Sequence, residues 1–113
     1  MQQGEVFIKF FAGARDGFIA NLGAELFTTY AVLATYMDRN GKCYPTQIQL
    51  AKALGVRRET VNARIKRLEA MTWEDEPIIT VEKNRNEDTK KYANNIYTLN
   101  TKLAFRIFND MKE

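Results

Sequence analysis

The sequence contains no histidine, and this absence removes several classes of function at once. Histidine is the commonest general base and completes the Ser-His and Cys-His nucleophile pairs. Cys43 is the one cysteine, so no disulfide can form within the chain, and without histidine a zinc finger is excluded. The acids at 74–76 lack a glycine-rich phosphate cradle or metal-ligand spacing nearby. We therefore expect a protein that is not an enzyme and has no cofactor or metal.

Long apolar runs are also missing. No stretch approaches the roughly 20 residues that a helix needs to cross a bilayer. The segment between Lys9 and Arg15 is too short and too polar for the core of a secretory signal. We expect a cytoplasmic protein with no membrane contact. Its 113 residues suffice for one domain with one core, and 45% hydrophobic residues are typical of a globular chain.

Charge is segregated along the chain although the net charge is only +3. Residues 52–67 carry six basic residues and one acid, and residues 83–91 carry four basic residues and two acids. Between them, residues 69–76 carry four acids and no base. Positive charge is therefore concentrated on two segments, which are candidates for contacting DNA.

Residues 45–71 contain two short helical runs separated by Gly55. The first opens with Thr46 followed three residues later by Gln49, which is the spacing of a capping box. Glycine after this run allows the left-handed backbone with which a chain leaves one helix and turns into the next. Two short helices at a steep angle form a helix-turn-helix. The apolar positions that define the runs are Ile48, Leu50, Leu54, Val61, Ile65 and Leu68.

The second helix has a polar and basic face opposite its apolar stripe. Arginine makes bidentate contacts to guanine, asparagine makes them to adenine, and alanine leaves room for a base edge. This composition suits the major groove of DNA. The alternative is an ordinary solvated helix surface. The residues of this face are Arg58, Glu59, Asn62, Ala63, Lys66 and Arg67.

The segment before the motif predicts a strand and a supporting helix. Residues 5–11 combine aromatic and β-branched side chains, which favour a strand. Residues 18–37 place apolar side chains at helical spacing. We expect Tyr30 and Tyr36 to pack in the core rather than to contact phosphate, and Cys43 to be a small buried hydrophobe.

The segment after the motif predicts a β-hairpin. Two β-rich runs, at 78–81 and 95–99, flank a polar and basic loop. A hairpin directly after a recognition helix is a wing, and wings commonly place basic side chains against phosphates or in the minor groove. The alternative is a solvated turn. Trp73 is predicted to anchor the wing to the helices. The basic wing residues are Lys83, Arg85, Lys90 and Lys91.

The end of the chain predicts an amphipathic C-terminal helix, because residues 101–111 place Leu103, Ile107 and Met111 at i, i+4 and i+8. Its apolar face leaves three roles open. It packs on Phe7 and Phe10, pairs with a second copy in a homodimer, or leads into a further domain.

The run DRNGKCYPTQIQLAKALGVRRETVNARIKRLEAM resembles the helix-turn-helix domains of replication initiators, replisome organisers and regulators of plasmids and phages. The resemblance covers about residues 18–99 and is strongest over 41–68. It implies an α+β winged helix-turn-helix: a three-helix core, a β-hairpin wing, a short N-terminal strand and a C-terminal helix. Residues 1–113 would form one DNA-binding domain, and related proteins often continue further.

One departure from the resembled pattern concerns the start of the recognition helix. The family usually has Ser or Thr where this chain has Arg57. A hydroxyl at that position would cap the helix. Either Arg57 leaves the cap weak or another residue supplies it. Arg57 can still reach a phosphate.

The resemblance implies sequence-specific binding of double-stranded DNA in replication initiation. One alternative is a transcriptional regulator of a mobile element that uses the same surface on an operator palindrome. Another is a winged-helix module that binds a protein and not DNA. The predicted base readers are Arg58, Glu59, Asn62, Ala63 and Lys66, and the predicted phosphate contacts are Thr46, Gln47, Arg57, Thr60, Arg64 and Arg67, with the wing residues.

Overall fold

The fold is α+β, with three helices and small antiparallel sheets, which confirms the predicted winged helix-turn-helix class. The computed structural model describes residues 6–83, 85–86, 91–92, 95–103 and 105–109. The helices are α1 (Phe18–Ala34), α2 (Gln47–Leu54) and α3 (Arg58–Ala70), and a short 3-10 helix spans Ala12–Arg15. The strands are β1 (Val6–Phe10), β2 (Lys42–Cys43), β3 (Thr72–Trp73), β4 (Glu76–Pro77), β5 (Ile79–Glu82), β6 (Arg85–Asn86), β7 (Lys91–Tyr92), β8 (Ile96–Leu99) and β9 (Phe105–Asn109).

The core lies between the three helices and the sheet that follows them. α1 and α3 bury the apolar stripes that their spacing predicts, and the sheet closes the core from the other side. Of the apolar positions predicted for α2, Leu50 is buried, Leu54 is half-buried and Ile48 is 56% exposed, so the prediction for Ile48 is wrong. The buried side chains include Leu26, Tyr30 and Leu33 of α1, Leu50 of α2, Val61, Ile65 and Leu68 of α3, and Ile79, Tyr97 and Leu99 of the sheet. These residues hold α3 at a fixed position on the domain.

The two tyrosines of the α1 segment have different environments. Tyr30 is buried as predicted, and its hydroxyl donates to the carbonyl oxygen of Asn100 at 3.4 Å. Tyr36 is 41% exposed, so the prediction that it packs in the core is wrong. The reason is that α1 ends at Ala34, three residues before the predicted end, and helical spacing no longer applies to Tyr36.

Trp73 packs against the start of α1. Its ring lies edge-on to that of Phe18, with the ring centres 5.8 Å apart. Trp73 belongs to a tight hairpin, β3–β4, in which it pairs with Glu76 directly before wing strand β5. This confirms the prediction that Trp73 joins the wing to the helices.

The wing is a hairpin of β5 and β8, to which β2 adds a third strand in the order β2-β8-β5. The register pairs Thr80 with Thr98, and Lys42 with Thr98 on the other side. Farther out, β6 pairs with β7. The predicted hairpin is therefore present. Lys90 lies outside the described residues.

A glycine fixes the sheet to the loop after α1. The N–H of Leu99 donates to the carbonyl oxygen of Gly41 at 2.8 Å, and Gly41 has φ +83°. A Cβ at this position would collide with the carbonyl oxygen of Leu99. Gly41 is therefore required both for its left-handed backbone and for the close approach of β8.

The chain termini form a strand pair, so the predicted C-terminal helix is wrong. β9 pairs antiparallel with β1, with Phe7 opposite Phe108 and Ile8 opposite Ile107. The apolar spacing of this segment also fits alternation, and its aromatic and β-branched residues favour a strand once β1 is available as a partner. Met111, at the end of the predicted helix, lies outside the described residues.

The predicted N-terminal strand is confirmed, and it lies across α1. The ring of Phe10 is 5.9 Å from that of Phe27 in α1. Phe7 and Phe10 nevertheless remain 48% and 53% exposed. The terminal strand pair β1–β9 thus covers α1 and leaves aromatic surface in contact with solvent.

Candidate nucleic-acid interface

A capping box begins α2, as its sequence predicts. The Thr46 hydroxyl accepts from the Gln49 N–H at 2.9 Å, and the Gln49 side-chain oxygen accepts from the Thr46 N–H at 2.8 Å. The first four N–H groups of a helix have no intrahelical partner, and the box satisfies two of them. The N–H groups of Gln47 and Ile48 remain for an external acceptor.

The turn between α2 and α3 depends on Gly55. Its φ of 70° and ψ of 32° are left-handed, and its N–H donates to the Ala51 carbonyl oxygen at 2.8 Å. The next N–H, from Val56, donates to the same oxygen at 3.1 Å. The chain thereby closes α2 and starts α3 three residues later, which is the turn that the sequence predicts.

The start of α3 differs from that of α2 because no side chain closes it. Arg57 is the N-cap residue, and the described structure shows no hydrogen bond from its side chain to the helix. The first-turn N–H groups of Arg58, Glu59 and Thr60 therefore lack an intrahelical acceptor. Glu59 complements the positive end of the helix dipole through its charge. Of the two alternatives that the sequence leaves open, the structure favours the weak cap at Arg57.

The start of α3 is also accessible. An open groove of about 420 Å³ runs beside the turn between α2 and α3. The exposed cations Arg57 and Arg58 lie along it together with Ile48, which is 56% exposed. A ligand can therefore approach the first turn of α3 without displacing the core.

Most of the predicted base readers project from α3 into solvent. Arg58, Glu59, Ala63 and Lys66 are exposed, and Asn62 is half-buried between Arg58 and Lys66, one helical turn from each. Of the predicted phosphate contacts on α3, Arg57 and Arg67 are exposed and Thr60 is half-buried. The structure thus brings the predicted set onto one helix beside an open surface.

Arg64 is directed towards the domain rather than only outward. It is half-buried, and its Nη1 donates to the Thr29 hydroxyl oxygen of α1 at 3.3 Å. The Thr29 hydroxyl itself donates to the Glu25 carbonyl oxygen at 3.0 Å. Arg64 therefore ties α3 to α1. Sequence reasoning did not find this tie, although Thr29 is a polar residue on an otherwise apolar face of α1.

Gln47 and Asn62 join α2 to α3. Both are half-buried, and Gln47 Nε2 donates to Asn62 Oδ1 at 3.4 Å. The sequence analysis predicts that Gln47 contacts a phosphate and that Asn62 contacts a base. No sequence pattern indicates that the two side chains meet. Residues 15 positions apart are brought together only by the angle between the helices.

The wing contributes basic residues on the outer part of its hairpin. Lys83 is exposed directly after β5. Arg85 and Lys91 occupy the facing strands β6 and β7, where Arg85 pairs with Tyr92 and Lys91 with Asn86. The backbone thus places these two positions on neighbouring strands near the end of the wing.

Comparison with protein families bears on the class of the central segment. Residues 20–73, just under half of the chain, match the model of the family described as Helix-turn-helix domain. The match supports a helix-turn-helix domain over this segment, in agreement with the fold. The match runs from α1 to β3, so it includes both helices of the motif and stops before the wing. No curated protein and no solved structure gives a significant match.

Cys43 lies next to the helix-turn-helix in β2 and is fully buried, which confirms its predicted role as a small hydrophobe. Burial, together with the smaller effect of the nearby Asp38 carboxylate, raises the pKa of its thiol to about 12. The thiol is therefore neutral at ordinary pH. Burial also raises the pKa of the Tyr97 hydroxyl, while a hydrogen bond with Asn95 opposes that shift.

Within the described ranges no helix is long and apolar enough to cross a membrane. The described residues also contain no group of three or more Cys, Asp or Glu side chains placed to hold a metal ion.

Proposed function

We propose that this protein binds double-stranded DNA in a sequence-specific manner, with α3 in the major groove. The observation that carries the proposal is the start of α3, where an uncapped helix N-terminus meets an exposed row of basic and small side chains. Helix N-termini attract phosphate through free N–H groups and the helix dipole. Arg58 and Lys66 on the same face suit guanine edges.

Phosphate contacts on both sides of α3 complete the proposed complex. The free N–H groups of Gln47 and Ile48 at the start of α2 hold one backbone, together with Thr46 and Arg57. In the proposed complex a second stretch of backbone lies along the wing, where Lys83 is exposed and Arg85 and Lys91 occupy neighbouring strands. One N–H group of Arg64 donates to Thr29, and the other N–H groups of its guanidinium can donate to a phosphate.

The proposed role is replication initiation on a plasmid or phage, at an origin with repeated binding sites. Its support is the resemblance of residues 18–99 to such initiators. A transcriptional regulator of a mobile element would use the same surface. The two roles differ in the layout of their sites, because an origin presents iterated direct repeats and an operator presents one inverted repeat.

Selection from a random duplex library at near-physiological salt tests the binding proposal. We expect one enriched motif, and its repeat layout separates the two roles. Affinity for the selected duplex should fall steeply as salt rises, since each neutralised phosphate releases counterions. Absence of enrichment, with no retention even at low salt, would contradict DNA binding and favour a protein-interaction module.

We also propose that the protein forms a homodimer through its terminal segments. The support is the aromatic surface that β1 leaves exposed at Phe7 and Phe10. Sedimentation at high concentration without DNA should show a species of twice the chain mass, and Phe7→Ser should reduce it. A monomer at every concentration would contradict dimerisation and leave DNA binding untouched.

A further inference from the structure

The contact between Gln47 and Asn62 bears on which base the protein reads. Asn62 lies on α3 between Arg58 and Lys66, so in the proposed complex its amide faces the base edges. An asparagine that is free on all sides recognises adenine, because its oxygen accepts from N6 while its nitrogen donates to N7. That pairing needs both ends of the amide.

In this structure one end of the Asn62 amide is already engaged. Gln47 Nε2 donates to Asn62 Oδ1 at 3.4 Å, and both side chains are half-buried. Asn62 is therefore turned so that Nδ2, which carries two donors and no acceptor, points away from Gln47. Guanine presents two acceptors, N7 and O6, in the major groove. The second lone pair of Oδ1 lies on the side of Gln47, so the outward end of the amide presents donors, which match the two acceptors of guanine better than the acceptor and donor of adenine.

The position of Gln47 is itself fixed. Gln47 is the first residue of α2, directly after the capping box that joins Thr46 and Gln49. α2 packs on α3 through the buried Leu50, so the two amides meet at a defined place between the helices. A side chain on α2 thereby orients a side chain on α3.

We infer that Gln47 is a specificity-determining residue, which positions the Asn62 amide so that this protein prefers guanine at the base read by Asn62. The inference rests on the proposed function, since it requires α3 to lie in the major groove. It assigns Gln47 a positioning role in addition to a phosphate contact through its backbone. The base read by Asn62 would therefore present two acceptors in the major groove, as guanine does.

Replacing Gln47 with glutamate reverses the proposed orientation. A carboxylate only accepts, so it would bind Asn62 Nδ2 and turn Oδ1 outward. Oδ1 accepts from the exocyclic amino groups of adenine or cytosine. The variant is expected to fold, because a negative charge in the first turn of a helix is favourable.

Gln49→Glu is the matched control. It introduces the same change of atom and charge two residues away on α2. The capping bond from the Thr46 N–H needs only an acceptor oxygen, which glutamate keeps. Any general loss of DNA affinity from the added negative charge should appear in both variants, whereas a change of base preference should appear only with Gln47→Glu.

The experiment is selection from the random duplex library with the wild-type chain, Asn62→Ala, Gln47→Glu and Gln49→Glu, each checked for folding by circular dichroism. Asn62→Ala identifies the position that Asn62 reads, because the preference there is lost. At that position we expect guanine for wild type and Gln49→Glu. With Gln47→Glu the ratio of guanine to adenine plus cytosine should fall at least about fivefold.

Three results would overturn the inference while the proposed function stands: adenine or cytosine at that position in wild type, an unchanged preference with Gln47→Glu, or no position that depends on Asn62. Failure of the wild-type chain to enrich any motif, with no retention at low salt, is a different result and counts against the proposed function itself. The two failures are therefore distinguishable.

Discussion

The two helices of the motif begin in opposite ways. α2 opens with a reciprocal capping box, in which Thr46 and Gln49 satisfy each other's N–H groups. α3 opens at Arg57, whose side chain makes no capping bond in the described structure. A capping side chain satisfies N–H groups at the start of a helix and so stabilises the protein. An uncapped start leaves those N–H groups available to a ligand. The contrast fits the proposal that α2 supports α3 and that α3 contacts DNA.

The largest expected effect concerns the side chains of the open helix. Arg58→Ala or Asn62→Ala should each cost roughly 1 to 3 kcal/mol of binding to the selected duplex and relax the preference at one or two positions. Lys83→Ala, on the wing, should weaken binding to all sequences alike. Anisotropy titrations on selected and scrambled duplexes measure both quantities. Equal losses on the two duplexes for all three variants would show that α3 does not read bases.

Breaking the cap of α2 should have the next largest effect, and on stability. Thr46→Ala removes the hydroxyl that accepts from the Gln49 N–H, so the free energy of unfolding should fall by about 1 kcal/mol. Thr46→Ser keeps the acceptor and should stay within about 0.5 kcal/mol of wild type. Urea denaturation measures this difference. Equal stabilities for the two variants would mean that the capping box contributes nothing.

Adding a cap to α3 should have a smaller and two-sided effect. Arg57→Ser supplies the hydroxyl that the position lacks, and should raise the free energy of unfolding by about 0.5 to 1 kcal/mol. It also removes a phosphate contact. The slope of log affinity against log salt concentration should therefore decrease in magnitude by about 1.

Arg57→Ala is the control for that pair of effects, because it removes the charge without adding a cap. It should weaken DNA binding as much as Arg57→Ser does but should not gain stability. Denaturation and salt titrations of both variants give the comparison. A serine variant that gains no stability over the alanine variant would argue that the start of α3 is already closed.

The smallest expected effect is a decline in stability at alkaline pH. The folded pKa of Cys43 is raised to about 12 from an ordinary thiol value of about 8.5. The unfolded chain therefore loses its proton first, and stability should be constant below about pH 8.5 and fall between there and pH 12. Denaturation at pH 8 and pH 10 measures this. Cys43→Ala should reduce the decline, and an unchanged decline would assign it to other groups such as Tyr97.

Sequence patterns predicted the helix-turn-helix well because its signals are local and agree with one another. Capping spacing, the glycine turn and the stripe of Val61, Ile65 and Leu68 all depend on neighbours within a few residues. The same patterns failed at the C-terminus. There an apolar segment fits two periods, and its partner β1 lies about 100 residues earlier in the chain.

The candidate site shows the same division. The exposed residues of α3 follow from helical spacing alone, whereas the missing hydroxyl at Arg57 follows from the departure of this sequence from the pattern that it resembles. The contacts Gln47–Asn62 and Arg64–Thr29 depend on how the helices cross, which no single segment of sequence encodes. The partners of Asn62 and Arg64 are therefore evident only in the structure.

The most direct test of the central claim is to map the amide signals of the protein as the selected duplex is added. An ¹⁵N-labelled sample should show its largest chemical-shift changes at the N–H groups of Arg58, Glu59 and Thr60, with smaller changes at Gln47 and Ile48. The amides of β1 should stay unchanged. Changes confined to β1, with none at the start of α3, would contradict the claim that the open end of α3 is the DNA-binding surface.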